Sequence, residues 1–361
     1  MRISGSQFGA ILFLTIVTTA VLYIPNITAR EAKQSAWLAP ILSSGMGFLI
    51  LWIFVKLGER FPGQNLVQFS TQLLGKFLGK ALGLGYCLFF LVINFFTLRQ
   101  FSEAMNLSLL QHTPVWFVSL WLALVGSYGA ILGLEVITRS IQFVLPLFVI
   151  SIILVILFTF PDLEFKQLFP LFEGGVWPIV KASYSPATWF GESIVLAFLF
   201  PFINKPQEVF KKSTWALLAA ILVFSADILV TLLLLGPELA SSYDLAFWKV
   251  IRYIEVGRTF LRLETIIIFL WISAVVAKFA LILYLGSLVL AEVWGRQSPG
   301  KIVVPMALLT ALISTTFLNS SIDLQYALSA FWPKFALIFE LFIPCFLLFL
   351  AWLRKKGSKA T

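Results

Sequence analysis

Long apolar runs recur along the whole chain, and they restrict the possible folds more than any other feature of the sequence. A helix needs about 20 apolar residues to cross about 30 Å of hydrocarbon, and many of the runs approach that length. The strands of a membrane barrel would be shorter and would alternate in polarity. Because a segment in lipid must satisfy its own backbone hydrogen bonds, the runs predict membrane-spanning helices.

The composition excludes an ordinary soluble domain. Hydrophobic residues make up 60% of the chain and charged residues 12%, against about 45–50% and about 25% in an average soluble protein. No soluble core would bury this share of apolar side chains. We therefore predict an all-α integral membrane protein with a single transmembrane domain over residues 1–361.

Charges, prolines and glycines divide the chain into ten predicted transmembrane helices. These are residues 7–29, 36–57, 79–106, 115–133, 141–160, 184–204, 213–235, 263–291, 302–318 and 333–353. They form a first half at about 7–160 and a second half at about 184–353, followed by a short basic tail at 354–361. The run at 8–27 is interpreted as a retained span because it is long and lacks a small-residue cleavage site.

The charge distribution predicts the orientation. The net charge of +9 is dispersed over short connectors and forms no basic stripe, so no nucleic-acid partner is expected. The connectors on the same side of the membrane as the N-terminus hold more Lys and Arg than those on the opposite side, which predicts that both termini are cytoplasmic. The long connector at 237–262 has the spacing of a short amphipathic helix on the outer surface, either a lid or an interfacial anchor.

Catalytic and metal-binding motifs do not emerge from the sequence. Cys87 and Cys345 lie inside apolar runs without metal-ligand spacing, and the single histidine, His112, lies in a predicted surface turn. There is no phosphate-binding glycine loop or nucleophile elbow. We therefore expect neither a cofactor nor a metal, and we do not expect an enzyme.

The sixth predicted span contains the most informative irregularity. Pro186 and Pro201 bracket Gly191 and Glu192, which predicts two half-helices that meet near Gly191. Such a break persists at membrane depth only where it is buried in protein or lines a cavity. An unpaired charge at mid-membrane costs about 2.5–3.5 kcal/mol or more, so Glu192 is either a ligand-facing or proton-linked group or a neutral acid that holds two helices together.

The first predicted span has a related feature. Thr18 and Thr19 precede Pro25, and paired interruptions at corresponding places in two halves indicate a transporter site built on inverted repeats. This predicts breaks in helices one and six of a 5+5 inverted repeat. The alternative is that the threonine hydroxyls bond back to their own helix turn.

Other polar residues within the spans predict ion pairs. Lys278 lies near the centre of span eight and requires an acidic partner or an aqueous path. We hypothesise that it is a fixed cation at the place where a sodium-coupled relative would bind an ion, with Glu192 or Asp227 as the counter-charge. Arg99 and Glu103 are four residues apart on one helix face and are predicted to pair.

A series of short motifs carries a resemblance to a known family. They are Ala36-Trp37, Phe61-Pro62, Thr113-Pro114, Phe169-Pro170, Phe190-Gly191-Glu192, Phe200-Pro201 and Phe260-Leu261-Arg262-Leu263-Glu264 before Trp271. In this order and spacing the chain resembles the B subunit of the GerA-type spore germinant receptors, in the spore permease family of the amino-acid/polyamine/organocation superfamily. The resemblance covers about residues 7–353.

The resemblance implies a fold like that of LeuT-type amino-acid transporters, with ten helices and breaks in helices one and six. It also implies the inner membrane of a bacterial endospore, partner A and lipoprotein C subunits, and a small nutrient ligand such as an amino acid, sugar or nucleoside. Family members often have glycine where this chain has Thr18-Thr19-Ala20, so the chain departs from the family in the segment whose backbone amides would recognise a ligand carboxylate.

Two sets of site residues follow. The predicted ligand-binding residues are Thr18, Thr19, Tyr86, Asn94, Phe190, Gly191, Glu192 and Ser273, and the predicted proton- or ion-linked residues are Glu192, Asp227 and Lys278. The favoured function is a nutrient-binding subunit that signals to its partners. A proton-coupled amino-acid permease and a scaffold that binds no small molecule are the alternatives.

Overall fold

A computed structural model describes residues 3–254, 263–296, 298–318 and 320–354. The basic tail beyond residue 354, residues 255–262 of the long connector and part of the Phe260–Glu264 motif lie outside these ranges. The α-helices are α1 Gly5–Ala32, α2 Ala39–Arg60, α3 Leu66–Leu74, α4 Lys76–Ser108, α5 Val115–Leu132, α6 Leu134–Thr159, α7 Trp177–Gly191, α8 Val195–Leu199, α9 Pro206–Ser242, α10 Ala246–Tyr253, α11 Leu263–Val293, α12 Gly300–Thr316, α13 Ser321–Tyr326, α14 Trp332–Leu337 and α15 Ile343–Leu353.

Helices of membrane-spanning length and polarity dominate the molecule. Seven helical stretches within the described ranges are long and apolar enough to cross a bilayer. The first of them, Gly5–Arg60, contains both α1 and α2. The prediction of an all-helical integral membrane protein is confirmed to this extent.

Helix α1 departs from the predicted break. It runs as one α-helix through Pro25, and almost all of its length is buried. The hydroxyls of Thr15 and Thr18 donate to the carbonyls of Ile11 and Leu14 at 2.7 and 2.5 Å. These side chains therefore bond back to their own helix, and packing on every side keeps the helix continuous where proline alone would weaken it.

The sixth predicted span changes pitch at the predicted place. Helix α7 ends at Gly191, a 3₁₀ turn covers Glu192–Ile194, and α8 follows. Gly191 and Glu192 keep right-handed helical dihedrals, with φ of −63° and −58°, so the chain tightens without an extended gap. A 3₁₀ stretch inside a helix often marks a hinge or a functional position.

The centre of the molecule lies where α1 packs against α7 and α9, with α2 packed on α7 and α9 and α11 packed on α4, α5 and α6. The chain from residue 321 to 353 contains two π-helical turns, Ala327–Phe331 and Ile338–Phe342. Such turns insert an extra residue into the helix and frequently occur at functional sites.

The predicted amphipathic helix of the long connector is present as α10. Its Trp248 and Ile251 are buried, whereas Lys249 and Arg252 lie on the opposite, more accessible side. The ring of Trp248 meets the ring of Trp271 edge to face, with centroids 6.2 Å apart. Helix α10 therefore covers one end of the bundle instead of extending away from it.

Candidate functional site

The centre of the candidate site is a buried ion pair between Glu192 and Lys278. The Lys278 Nζ lies 2.8 Å from Glu192 Oε2 and donates a hydrogen bond to Oε1 at 3.0 Å. Both residues are at most 2% exposed. Glu192 is the first residue of the 3₁₀ turn between α7 and α8, and its carboxylate reaches Lys278 on α11.

Helix α1 contributes to the same place. Lys278 Nζ also donates to the hydroxyl of Thr19 at 2.9 Å. Nearby on α11, the indole nitrogen of Trp271 donates to the carbonyl of Thr18 at 2.8 Å. These bonds join α1, α11 and the α7–α8 junction through groups that are removed from water.

A third charged residue approaches from the C-terminal segment. The Glu340 carboxyl lies in the π-helical turn Ile338–Phe342 and is fully buried against Gly191. A methyl group at Gly191 would collide with this carboxyl, so glycine makes the contact possible. Neither oxygen of Glu340 has a hydrogen-bond partner among the residues that the structure describes.

Aromatic side chains enclose this side of the site. The Tyr86 hydroxyl donates to the carbonyl of Phe339 at 2.9 Å, and the Tyr86 ring meets Phe198 edge to face at 5.3 Å. Phe190 packs in the same manner on Phe224, with centroids 5.5 Å apart. Tyr86 thus anchors the π-helical turn that carries Glu340.

Three predicted site residues lie apart from the ion pair. The Ser273 hydroxyl donates to the carbonyl of Phe269, four residues earlier on the same helix. Phe269 is itself 66% exposed, so this side of α11 faces out of the buried cluster. The side chains of Asn94 and Asp227 are fully buried, and within the described ranges neither has a hydrogen-bond partner. Of Glu192 and Asp227, the two acidic residues predicted as partners of Lys278, Glu192 therefore forms the ion pair.

The pair predicted on α4 is confirmed. Arg99 and Glu103 form a salt bridge and a hydrogen bond, and both residues are largely buried. The hydroxyl of Tyr23 on α1 donates to the carbonyl of Gln100 at 3.1 Å in the same region. The Arg99–Glu103 pair lies within α4 and outside the Glu192 cluster, and it is the Tyr23 hydrogen bond that joins α1 to α4 in this region.

Sequence reasoning missed two members of the cluster. Glu340 carries the same signal as Glu192, an acidic residue in an apolar run, but nothing in the sequence places it on Gly191. The Trp271 hydrogen bond to a backbone carbonyl had no signal at all.

The charges in the cluster are unequal. Lys278 pairs with Glu192, whereas the second carboxyl group, Glu340, lies against Gly191 without a cation paired to it among the described residues. Charged groups at this depth are costly unless they are paired, so the cluster is suited to accept a proton or a cationic group. In the described part of the chain, no group of three or more His, Cys, Asp or Glu side chains is arranged to hold a metal ion.

Comparison with known proteins identifies relatives along the entire chain. The model of a family described as spore germination protein matches residues 2–322. Spore germination protein B2 of Bacillus subtilis (strain 168) is 24% identical, over 95% of this chain and 93% of its own length. Spore germination protein YndE of the same organism is 22% identical, over 99% and 98%. These matches confirm the resemblance to germinant receptor B subunits and spore permeases.

Solved structures share the fold at low identity. The structure of MhsT in complex with L-phenylalanine aligns with a TM-score of 0.63 and 14% identity, over 95% of this chain and 97% of MhsT. The transporter MHP1, of the nucleobase-cation-symport-1 family, aligns with a TM-score of 0.68 and 14% identity, over 98% and 79%. The fold of these transporters and the family match together place the chain among the integral membrane proteins of the spore germination protein family.

Proposed function

We propose that this chain is the nutrient-binding subunit of a spore germinant receptor. It would recognise a small molecule such as an amino acid at mid-membrane depth and pass the binding signal to partner subunits. The observation that carries this proposal is the buried Glu192–Lys278 pair at the pitch change of the sixth segment, on a fold shared with a protein solved with bound L-phenylalanine.

The proposed architecture is ten spans in two inverted halves. Support comes from the helical stretches near all ten predicted spans and from the packing of α1 on α9, which corresponds to the packing of α7 on α2. We further propose that both termini are cytoplasmic, that the membrane is the inner membrane of the spore, and that A and lipoprotein C subunits receive the signal.

The binding mode follows from the charges of the cluster. The carboxylate of an amino acid would replace Glu192 as the partner of Lys278, and its ammonium group would lie between Glu192 and Glu340. Each buried charge would then keep an opposite charge beside it, which is the condition for ionised groups at this depth. Entry of the ligand would separate α11 from the α7–α8 junction and so bias one helix arrangement over another.

A thermal-shift screen of small nutrients on the purified protein tests the proposal. A ligand that binds only the native state at about 100 times its Kd stabilises it by about 2.7 kcal/mol. We expect the stabilising nutrient to lose its effect on Glu192→Gln and to keep it on Glu59→Gln, a matched change at an exposed glutamate paired with Lys56. A nutrient that stabilises both variants equally would contradict a site at Glu192.

A proton-coupled amino-acid permease is the second candidate. It is favoured by the likeness to cation-coupled symporters, among them a Na⁺-coupled sialic acid symporter with a TM-score of 0.66, and by Lys278 as a fixed cation. Uptake of labelled nutrient into proteoliposomes that contain this chain alone would support transport. Saturable binding without uptake would support the receptor, and a chain that binds none of the nutrients would be a scaffold.

A further inference from the structure

The π-helical turn that carries Glu340 leaves one backbone carbonyl without a donor from its own helix. The N–H of Ile343 donates to the carbonyl of Ile338, five residues earlier, although an α-helix would direct it to the carbonyl of Phe339. The next N–H along the chain is missing, because residue 344 is proline. The carbonyl of Phe339 therefore depends on a group outside the helix.

The hydroxyl of Tyr86 is that group. It donates to the Phe339 carbonyl from α4 at 2.9 Å, and Tyr86 is fully buried. Proline is tolerated in membrane helices where neighbouring side chains satisfy the carbonyl that it leaves free. Glu340 follows Phe339 directly, so the same hydrogen bond fixes the place of the carboxyl that lies against Gly191.

The other π-helical turn of the C-terminal segment, Ala327–Phe331, repeats this arrangement. The N–H of Trp332 donates to the carbonyl of Ala327, and residue 333 is again proline. The carbonyl of Leu328 thus lacks a donor from its helix, and the hydroxyl of Ser185 on α7 donates to it at 3.2 Å. Each π-helical turn is therefore followed by a proline and closed by a hydroxyl of a neighbouring helix.

An α-helical register is the alternative for the turn at Glu340. There the N–H of Ile343 would return to the carbonyl of Phe339, and the carbonyl of Glu340 would face Pro344. That register also leaves a carbonyl without a helical donor, so the backbone hydrogen bonds alone do not decide between the two. A change of register turns the helix beyond residue 342 by one residue, or about 100°, relative to the part before residue 338.

We propose that Tyr86 and Ser185 are positioning residues of the nutrient site and that the C-terminal segment is its movable wall. The two hydroxyls hold the segment in the register that presents Glu340 to Gly191, and release of the Tyr86 hydrogen bond lets the carboxyl leave. The inference rests on the proposed function, because Glu340 is taken as part of the nutrient site. It assigns to the Tyr86 hydroxyl the register of the helix instead of a contact with the ligand.

Double-mutant cycles on the full-length protein in detergent test the two hydrogen bonds, with unfolding followed in a reversible denaturant titration. Tyr86→Phe and Ser185→Ala each leave a buried carbonyl unsatisfied and should raise the equilibrium constant for unfolding about tenfold. Ser185→Thr keeps a hydroxyl and should stay close to the native chain. The matched controls are Tyr128→Phe, at a tyrosine that is 67% exposed, and Ser183→Ala, whose hydroxyl bonds within α7; both should be near neutral.

The two prolines give the decisive cycles. Pro344→Ala restores an N–H that can reach the Phe339 carbonyl, so Tyr86→Phe should become near neutral in that background. Ser185→Ala should still raise the unfolding constant about tenfold there. Pro333→Ala should relieve Ser185→Ala and leave Tyr86→Phe unrelieved. A tyrosine or serine that only filled space would show no such pairing, and equal effects of Tyr86→Phe in both proline backgrounds overturn the inference.

A further cycle needs no proline replacement and reports the position of Glu340. Gly191→Ala should be less stable than Gly45→Ala only while the Glu340 carboxyl lies against residue 191. Most of this excess should be lost in a Tyr86→Phe background and kept in a Tyr128→Phe background. An excess that Tyr86→Phe leaves unchanged overturns the inference, because the hydroxyl would then not hold the carboxyl in place.

These cycles contain no ligand, so they are independent of the nutrient screen. A screen that finds no nutrient would leave the couplings of Tyr86 and Ser185 intact. Couplings that fail would leave a nutrient site at Glu192 intact. The inference and the proposed function can therefore be refuted separately.

Discussion

Gly191→Ala is the sharpest test of the cluster, because the structure states what the added methyl group would meet. A Cβ at residue 191 would overlap the carboxyl of Glu340 and would lie 3.1 Å from its second oxygen. The Glu340 carboxyl would have to shift within packed surroundings, since Glu340 is fully buried and Tyr86 anchors the neighbouring carbonyl of Phe339. Inserting a methylene-sized group into a well-packed interior costs about 1–3 kcal/mol.

The matched control is Gly45→Ala on α2, where an added Cβ has nothing within 4 Å. Alanine in a helix is more favourable than glycine by about 0.5–1 kcal/mol, so this variant should be slightly more stable than the native chain. The difference between Gly191→Ala and Gly45→Ala therefore isolates the collision, and we expect about 1–3 kcal/mol.

The assay is a reversible denaturant titration of the detergent-purified protein, followed by tryptophan fluorescence. A double-mutant cycle completes it, because contacting residues are non-additive. In a Glu340→Ala background the obstacle is gone, so Gly191→Ala should cost no more than Gly45→Ala does. If Gly191→Ala is as stable as Gly45→Ala in the native background, or if Glu340→Ala brings no relief, the packing of Glu340 on Gly191 is refuted.

Two further changes test the bonds around Lys278. Lys278→Met leaves the Glu192 carboxylate buried without its cation, which should lower the free energy of unfolding by about 3–5 kcal/mol in the same titration. Adding Glu192→Gln should recover part of this loss. Equal stability of the single and double variants would contradict the ion pair. Trp271→Phe removes the hydrogen-bond donor to the Thr18 carbonyl and should cost about 0.5–1.5 kcal/mol of stability. The control Trp215→Phe, at a tryptophan that is 63% exposed, should be near neutral. The same loss of stability in both variants would argue against a structural role for the Trp271–Thr18 hydrogen bond.

Hydropathy by itself determined the membrane helices. The predicted spans at 36–57 and 115–133 coincide closely with α2 Ala39–Arg60 and α5 Val115–Leu132, because the thickness of the hydrocarbon sets the length of each apolar run locally. The Arg99–Glu103 pair could also be predicted from the sequence, since both residues lie on one helix with a spacing that the α-helix itself defines. The local pattern of proline and glycine indicated the place of the irregularity near Gly191, but it predicted two half-helices, whereas the chain there only tightens into a 3₁₀ turn.

Only the tertiary structure decided which of these helices meet, and on which faces. Lys278 had two candidate partners in the sequence, and the rotation of α11 against the α7–α8 junction brings it to Glu192. Pro25 predicted a break that the packing around α1 does not permit. The contact between Gly191 and Glu340 joins residues far apart in the chain through a π-helical turn. An apolar run indicates that a segment lies in the hydrocarbon of the membrane. Because such a helix is apolar on nearly every side, the run carries little information about the direction in which a polar side chain points.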